Sequence, residues 1–120
     1  MLAHELIEKI GMLSDAVRYV SIYEKGELFT WQKQELEGAS SSESDKYEEL
    51  IVNPTLLKLV TQRGNIDCGG AKYVLIRYGN FFEFVMPVKD GHVSVGIQPD
   101  IDPLEIVQQI EKLVEELAAG

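Results

Sequence analysis

The stretch from Lys72 to Gln98, KYVLIRYGNFFEFVMPVKDGHVSVGIQ, decides the fold class. Val, Ile, Tyr and Phe dominate three short runs, Lys72–Tyr78, Phe81–Val88 and His92–Gln98, and such residues suit a pleated, half-buried surface. Gly79-Asn80 and Asp90-Gly91 separate the runs and are two-residue hairpin signals. Three strands joined by two tight turns make an antiparallel meander. Successive side chains on a strand point to opposite faces, so Phe82, Phe84 and Met86 share one face and Phe81 and Val85 the other. On the third run Val93, Val95 and Ile97 line one face, while Ser94 and Gly96 keep the opposite face small enough for a helix to approach. Pro87 suits a strand edge or end.

Upstream, Val17–Glu24 reads as a strand and Leu28–Gln32 as its return, with Gly26 of the Lys25-Gly26 turn taking positive φ. Leu2, Leu6, Ile10 and Leu13, widened by Ile7, recur at helical spacing and place a first helix that ends near Ser14-Asp15. Lys33–Ser44 is polar, acidic and serine-rich without apolar periodicity, and reads as a flexible loop. Asp45–Gln62 has helical character interrupted at Asn53-Pro54, because a residue before proline is pushed away from helical angles. That predicts either a kinked helix or a turn followed by a helix over Pro54–Arg63, with Gly64 as its stop. Leu56, Leu57, Leu59 and Val60 cover much of this helix's circumference, so it touches the sheet and something else. Downstream, Asp102-Pro103-Leu104-Glu105 is a helix start with cap, first-turn proline and capping-box acid. Leu104, Val107, Ile110, Leu113, Val114 and Leu117 then form a long apolar stripe.

The order helix, two strands, helix, three strands, helix fills all 120 residues as one α/β (α+β) domain. It predicts a single five-stranded antiparallel sheet with helices on both faces, since both sheet faces carry apolar residues. One cysteine, Cys68, makes no internal disulfide and fits a reducing compartment. The start, Met1–Lys9, carries Glu5 and Glu8 and lacks the basic and apolar regions of a signal peptide. No apolar run is long enough to insert in a membrane, so the expectation is a cytoplasmic protein. A net charge of −9 repels phosphate backbones and argues against nucleic acid. The charge is uneven: between Thr55 and Asn80, Lys58, Arg63, Lys72 and Arg77 face only Asp67, leaving a mildly basic middle in an acidic body.

Searching for chemistry finds little. His4 and His92 stand on different elements without a second ligand at metal spacing. Cys68 has Arg63 and Lys72 near it in sequence, the only hint of a reactive thiol. Gly64, Gly69 and Gly70 form no phosphate loop. Glu48-Glu49 and Glu115-Glu116 are adjacent on helices, so their side chains diverge by about 100° and make no carboxylate pair. Phe81, Phe82 and Phe84 as a base-stacking platform is disfavoured by Glu83 among them and by the overall charge. No catalytic residue, metal or cofactor is assigned.

The element order and loop lengths resemble the roadblock family, related to longin and profilin-like folds and named for dynein light chains. The stretches that carry this are Arg18–Leu28 as first hairpin, then Ala71–Ile76, Met86-Pro87-Val88 and Val93–Ile97 in the meander. The long acidic loop and the interruption at Asn53-Pro54 depart from the pattern. The resemblance implies a non-enzymatic protein that forms a homodimer through its middle helix and third strand, the strands adding edge to edge. The dimer then serves as a platform or scaffold for a Ras-like small GTPase or a multiprotein assembly. Carried onto this chain, the dimer or partner interface comprises Leu56, Leu57, Lys58, Val60, Arg63, Lys72, Val74 and Ile76. The alternative is a profilin-like sensor that binds a small molecule against the sheet; an enzyme using Cys68 ranks last.

Overall fold

A computed structural model describes residues 3–33 and 42–119. Helix α1 spans Ala3–Gly11, and strands β1 (Val17–Glu24) and β2 (Glu27–Gln32) form the first hairpin. A middle helical segment follows, built from α2 (Ser42–Tyr47), a π-helical turn (Glu48–Val52) and α3 (Asn53–Asp67). Strands β3 (Val74–Arg77), β4 (Phe82–Val88) and β5 (Gly91–Ile97) make the meander, and α4 (Pro103–Ala119) closes the chain. The sheet order is β2-β1-β5-β4-β3, antiparallel at every pairing. The predicted five-stranded α+β fold is therefore the observed one.

Hydrophobic burial organises one face of the sheet. Val20 and Ile22 of β1, Phe84 of β4 and Val93, Val95 and Ile97 of β5 are wholly buried there. They pack in one cluster with Leu6, Ile7 and Ile10 of α1 and Ile106, Val107 and Ile110 of α4. Each such side chain stabilises the fold by about 1.5–3 kcal/mol relative to exposure. Asp102 caps α4 as the sequence predicts: its Oδ1 accepts a hydrogen bond from the Leu104 backbone N–H at 3.0 Å. At the first hairpin both turn residues take positive φ, Lys25 at 52° and Gly26 at 85°, the pattern of a type I′ turn.

The middle segment corrects several expectations. Its helix begins at Ser42, so Ser42, Glu43 and Ser44 belong to α2 rather than to the loop expected over 33–44; the rest of that loop, 34–41, lies outside the described residues. Of the two expectations at Asn53-Pro54, a single helix is the observed one, and the turn followed by a new helix is not. Asn53 keeps helical angles, φ −65° and ψ −45°, and its N–H bonds to the Glu48 carbonyl in a π register. A proline ring normally clashes with the carbonyl four residues back, and a wider π turn is a known way to absorb such an insertion. Thr55 adds support by donating its hydroxyl to the Ile51 carbonyl at 2.6 Å. Gly64 is not the stop either. The helix runs on to Asp67, and Gly69, at φ +79°, turns the chain out. Gly64 is needed for space: a Cβ there would lie 2.7 Å from the backbone of Gly70. The first helix also ends earlier than expected, at Gly11, and β3 is shorter than Lys72–Tyr78.

Candidate functional site

The second face of the sheet differs chemically from the first. Alternation along β1, β4 and β5 presents Tyr19, Ser21, Glu83, Val85, His92 and Ser94 to it, and of these Ser21, Glu83, His92 and Ser94 are buried polar groups. From above, the helix lowers Glu49, Asn53 and Leu57, spaced i, i+4, onto this layer, and all three are buried. Glu49 is the hub. Its Oε1 accepts from His92 Nε2 at 2.8 Å and from Asn53 Nδ2 at 3.1 Å, and its Oε2 accepts from Ser94 Oγ at 2.7 Å. Three donors satisfy most of what a buried carboxylate requires.

A second carboxyl, Glu83, lies in the same layer and accepts a hydrogen bond from the Tyr19 hydroxyl. Burial pushes Glu83 well above the usual carboxylate range; the Tyr19 bond opposes this and the charges of Glu49 and Glu48 reinforce it. Tyr19 is itself raised by burial and by Glu83. Gly96 makes the arrangement possible, because a Cβ there would lie 2.4 Å from the Tyr19 ring. The small face of β5 thus admits a helix side chain at Ser94 and a tyrosine ring at Gly96, where the sequence suggested helix contact at both. At the periphery Tyr78 donates to Glu48 Oε1 at 3.0 Å. Burial and the Glu48 charge push Tyr78 up to about 12, and burial raises Glu48 too. Asn53 Oδ1 and Glu83 Oε1 are buried without a hydrogen-bond partner among the described residues.

On its outer side the middle segment is apolar. Tyr47, Leu50, Ile51, Leu59, Val60 and Ile66 are exposed, Leu59 at 59% and Ile66 at 76%. Strand β3 runs at the edge of the sheet, and its register places Val74 and Ile76 opposite Val85 and Glu83, on the face shared with the middle helix. Of the residues assigned to an interface, Lys58, Val60, Arg63 and Lys72 are exposed, and Leu56, Val74 and Ile76 are half-buried. Leu57 is 7% exposed and faces the sheet, away from the free surface. Arg63 is engaged: its Nη1 lies 2.6 Å from Asp67 Oδ1 and 3.4 Å from Cys68 Sγ. That bond holds Asp67 below the usual carboxylate range. Lys58 has no ion pair among the described residues.

One cleft of about 340 Å³ opens between α3 and the β4–β5 end of the sheet, with Leu57, Lys58, Pro87 and His92 on its walls. Sequence reading missed both this cleft and the polar layer. Nothing in the local sequence pairs Glu49 with His92, and only the fold brings them together.

Among the described residues no group of three His, Cys, Asp or Glu side chains is placed to hold a metal ion, and no helix is long and apolar enough to cross a membrane. No protein-family model and no curated protein matches this sequence. Among solved structures, a Roadblock/LC7 domain from Streptomyces avermitilis superposes with a TM-score of 0.73. It shares 12% sequence identity, over 96% of this chain and 93% of that one. The fold of this chain is thus the Roadblock/LC7 fold.

Proposed function

We propose that this chain is a non-catalytic, homodimeric platform that binds a Ras-like small GTPase or a multiprotein scaffold in the cytoplasm. The observation that supports this reading is the apolar outer side of the middle helix beside the open edge of β3. An edge strand offers unpaired N–H and C=O groups to another chain. Exposed apolar side chains next to that edge supply what backbone pairing lacks, about 1.5–3 kcal/mol for each Leu or Ile fully buried.

In this reading two copies join their β3 edges and lay their middle helices side by side. Leu56, Val60, Lys72, Val74 and Ile76 form the contact, with Leu57 supporting it from beneath. Lys58 and Arg63 lie at the rim, where charge steers a partner.

Sedimentation velocity at micromolar concentration is the first test, with a species of twice the 13.5 kDa chain mass expected. Val60→Glu should convert it to monomer. Ras-like GTPases loaded with GDP or a GTP analogue are then tested for binding to the wild type and to this variant. A wild-type protein that sediments only at the chain mass overturns the dimer, and equal GTPase binding by the monomeric variant overturns the dimer as platform.

A further inference from the structure

The cleft between α3 and the β4–β5 end of the sheet shares Leu57 and Lys58 with the platform reading, but its other walls, among them Tyr23, Pro87 and His92, have no part in that reading. We infer that it binds a small organic monocarboxylate with a compact apolar body, the carboxyl group held between His92 and Lys58. Its volume, about 340 Å³, falls in the range of small-molecule sites, about 300–1,000 Å³. Pro54, Leu57, Pro87 and the Tyr23 side chain give it apolar walls.

Two polar groups on those walls have bonding capacity left. His92 is 2% exposed, and its Nε2 is taken by Glu49 at 2.8 Å. Its Nδ1 makes no hydrogen bond among the described residues. A ring nitrogen left in this way accepts when the imidazole is neutral and donates when it is charged. A carboxyl group satisfies either state: the acid donates to a neutral ring, and the carboxylate accepts from a charged one, with one proton shared between them. Lys58 is the second group, an ammonium without an ion pair among the described residues.

The sign of the ligand follows from the lining. None of the nine residues around the cleft is acidic, in a chain that carries −9 overall. A cation finds no counter-charge at the walls. A doubly charged phosphate finds a single cationic side chain, Lys58, among the lining residues, and the apolar walls offer its oxygens little. One ammonium beside mostly apolar walls matches a singly charged carboxylate carried on an apolar body.

The test uses the full chain labelled with ¹⁵N and benzoate as probe, read at the imidazole nitrogens by long-range proton–nitrogen spectra. Benzoate is expected to shift His92 Nδ1 saturably and leave His4, on α1, unmoved. Benzyl alcohol, the same ring without the charge, should bind at least about tenfold more weakly, and Lys58→Met should weaken benzoate by about as much. No saturable shift at His92 at tens of millimolar benzoate overturns the proposal. So does equal binding of benzyl alcohol, indifference to Lys58→Met, or a shift produced by inorganic phosphate and not by benzoate. Every readout is independent of dimerisation, so this inference and the platform reading fail separately.

Discussion

The Glu49 carboxylate and the His92 imidazole, 43 positions apart in the chain, meet at 2.8 Å with both side chains almost wholly buried. This contact, with those of Ser94 and Asn53 to the same carboxylate, fastens the middle helix to the sheet. Among the row Glu49, Asn53 and Leu57, only Leu57 is apolar. The helix that presents the free apolar surface is therefore docked largely by hydrogen bonds. Glu49→Ala leaves three buried donors without their acceptor and is expected to destabilise the protein by about 3–5 kcal/mol, the usual loss when one member of a buried pair is removed. Urea denaturation measures it. A loss within about 0.5 kcal/mol, the scale of an ordinary surface change, means the helix is held by other contacts.

Glu83 predicts a pH dependence. Its native carboxyl is raised, chiefly by burial, so the folded protein keeps a proton that the unfolded chain releases near the ordinary value of 4.5. The native state binds more protons across that window, and stability falls as pH rises from the unfolded value toward the raised native one. Glu83→Gln removes the titration and keeps an acceptor for Tyr19. Its stability relative to wild type is expected to be near neutral at about pH 4 and increasingly favourable toward about pH 8. Chemical denaturation at the two pH values decides it, and a difference that shrinks as pH rises contradicts the assignment.

Gly64 sets two effects against each other. In an ordinary helix interior, glycine to alanine stabilises by about 1 kcal/mol. Here the new Cβ lies 2.7 Å from the carbonyl carbon and oxygen of Gly70, a residue whose N–H donates to the Gly64 carbonyl at 3.0 Å. Overpacking against backbone costs about 1–3 kcal/mol, so steric cost wins and Gly64→Ala is expected to lower the thermal midpoint. A raised midpoint means that the loop yields freely.

These residues also mark what the sequence made legible. The core face was readable because its signals are local. Val20, Ile22, Val93, Val95 and Ile97 alternate with period two, and the α4 stripe recurs at helical spacing behind the Asp102 cap. The opposite face was not, because its buried row is polar: Glu49 and Asn53 look like surface residues in any hydropathy pattern. Their burial follows from His92 and Ser94, which arrive from a distant strand. The π turn hid the helix in the same way. Asn53-Pro54 signals a kink or a break, and the tertiary bonds of Glu49 to His92 and Ser94 hold the segment as one helix with a wide turn. The isolated histidine among Val and Ser residues on β5 is the one local hint of a buried acid opposite it.

The last prediction concerns the partner surface in the platform reading. Lys58 and Arg63 are both exposed, but they are not equivalent: Arg63 is paired with Asp67 at 2.6 Å, while Lys58 has no ion pair among the described residues. Charges at the rim of an interface act mainly on association rate, through long-range steering that salt screens. Replacing both by Glu is expected to leave the dimer intact, to slow association with a bound GTPase, and to reverse part of the salt dependence. Lys58→Glu alone should account for most of the change, since Arg63 already shares its charge with a neighbour. Association kinetics at low and high ionic strength separate the cases. An unchanged on-rate for the double variant at low salt makes this basic patch a solvated helix face, and a larger effect from Arg63 than from Lys58 means that the Arg63–Asp67 pair opens on binding.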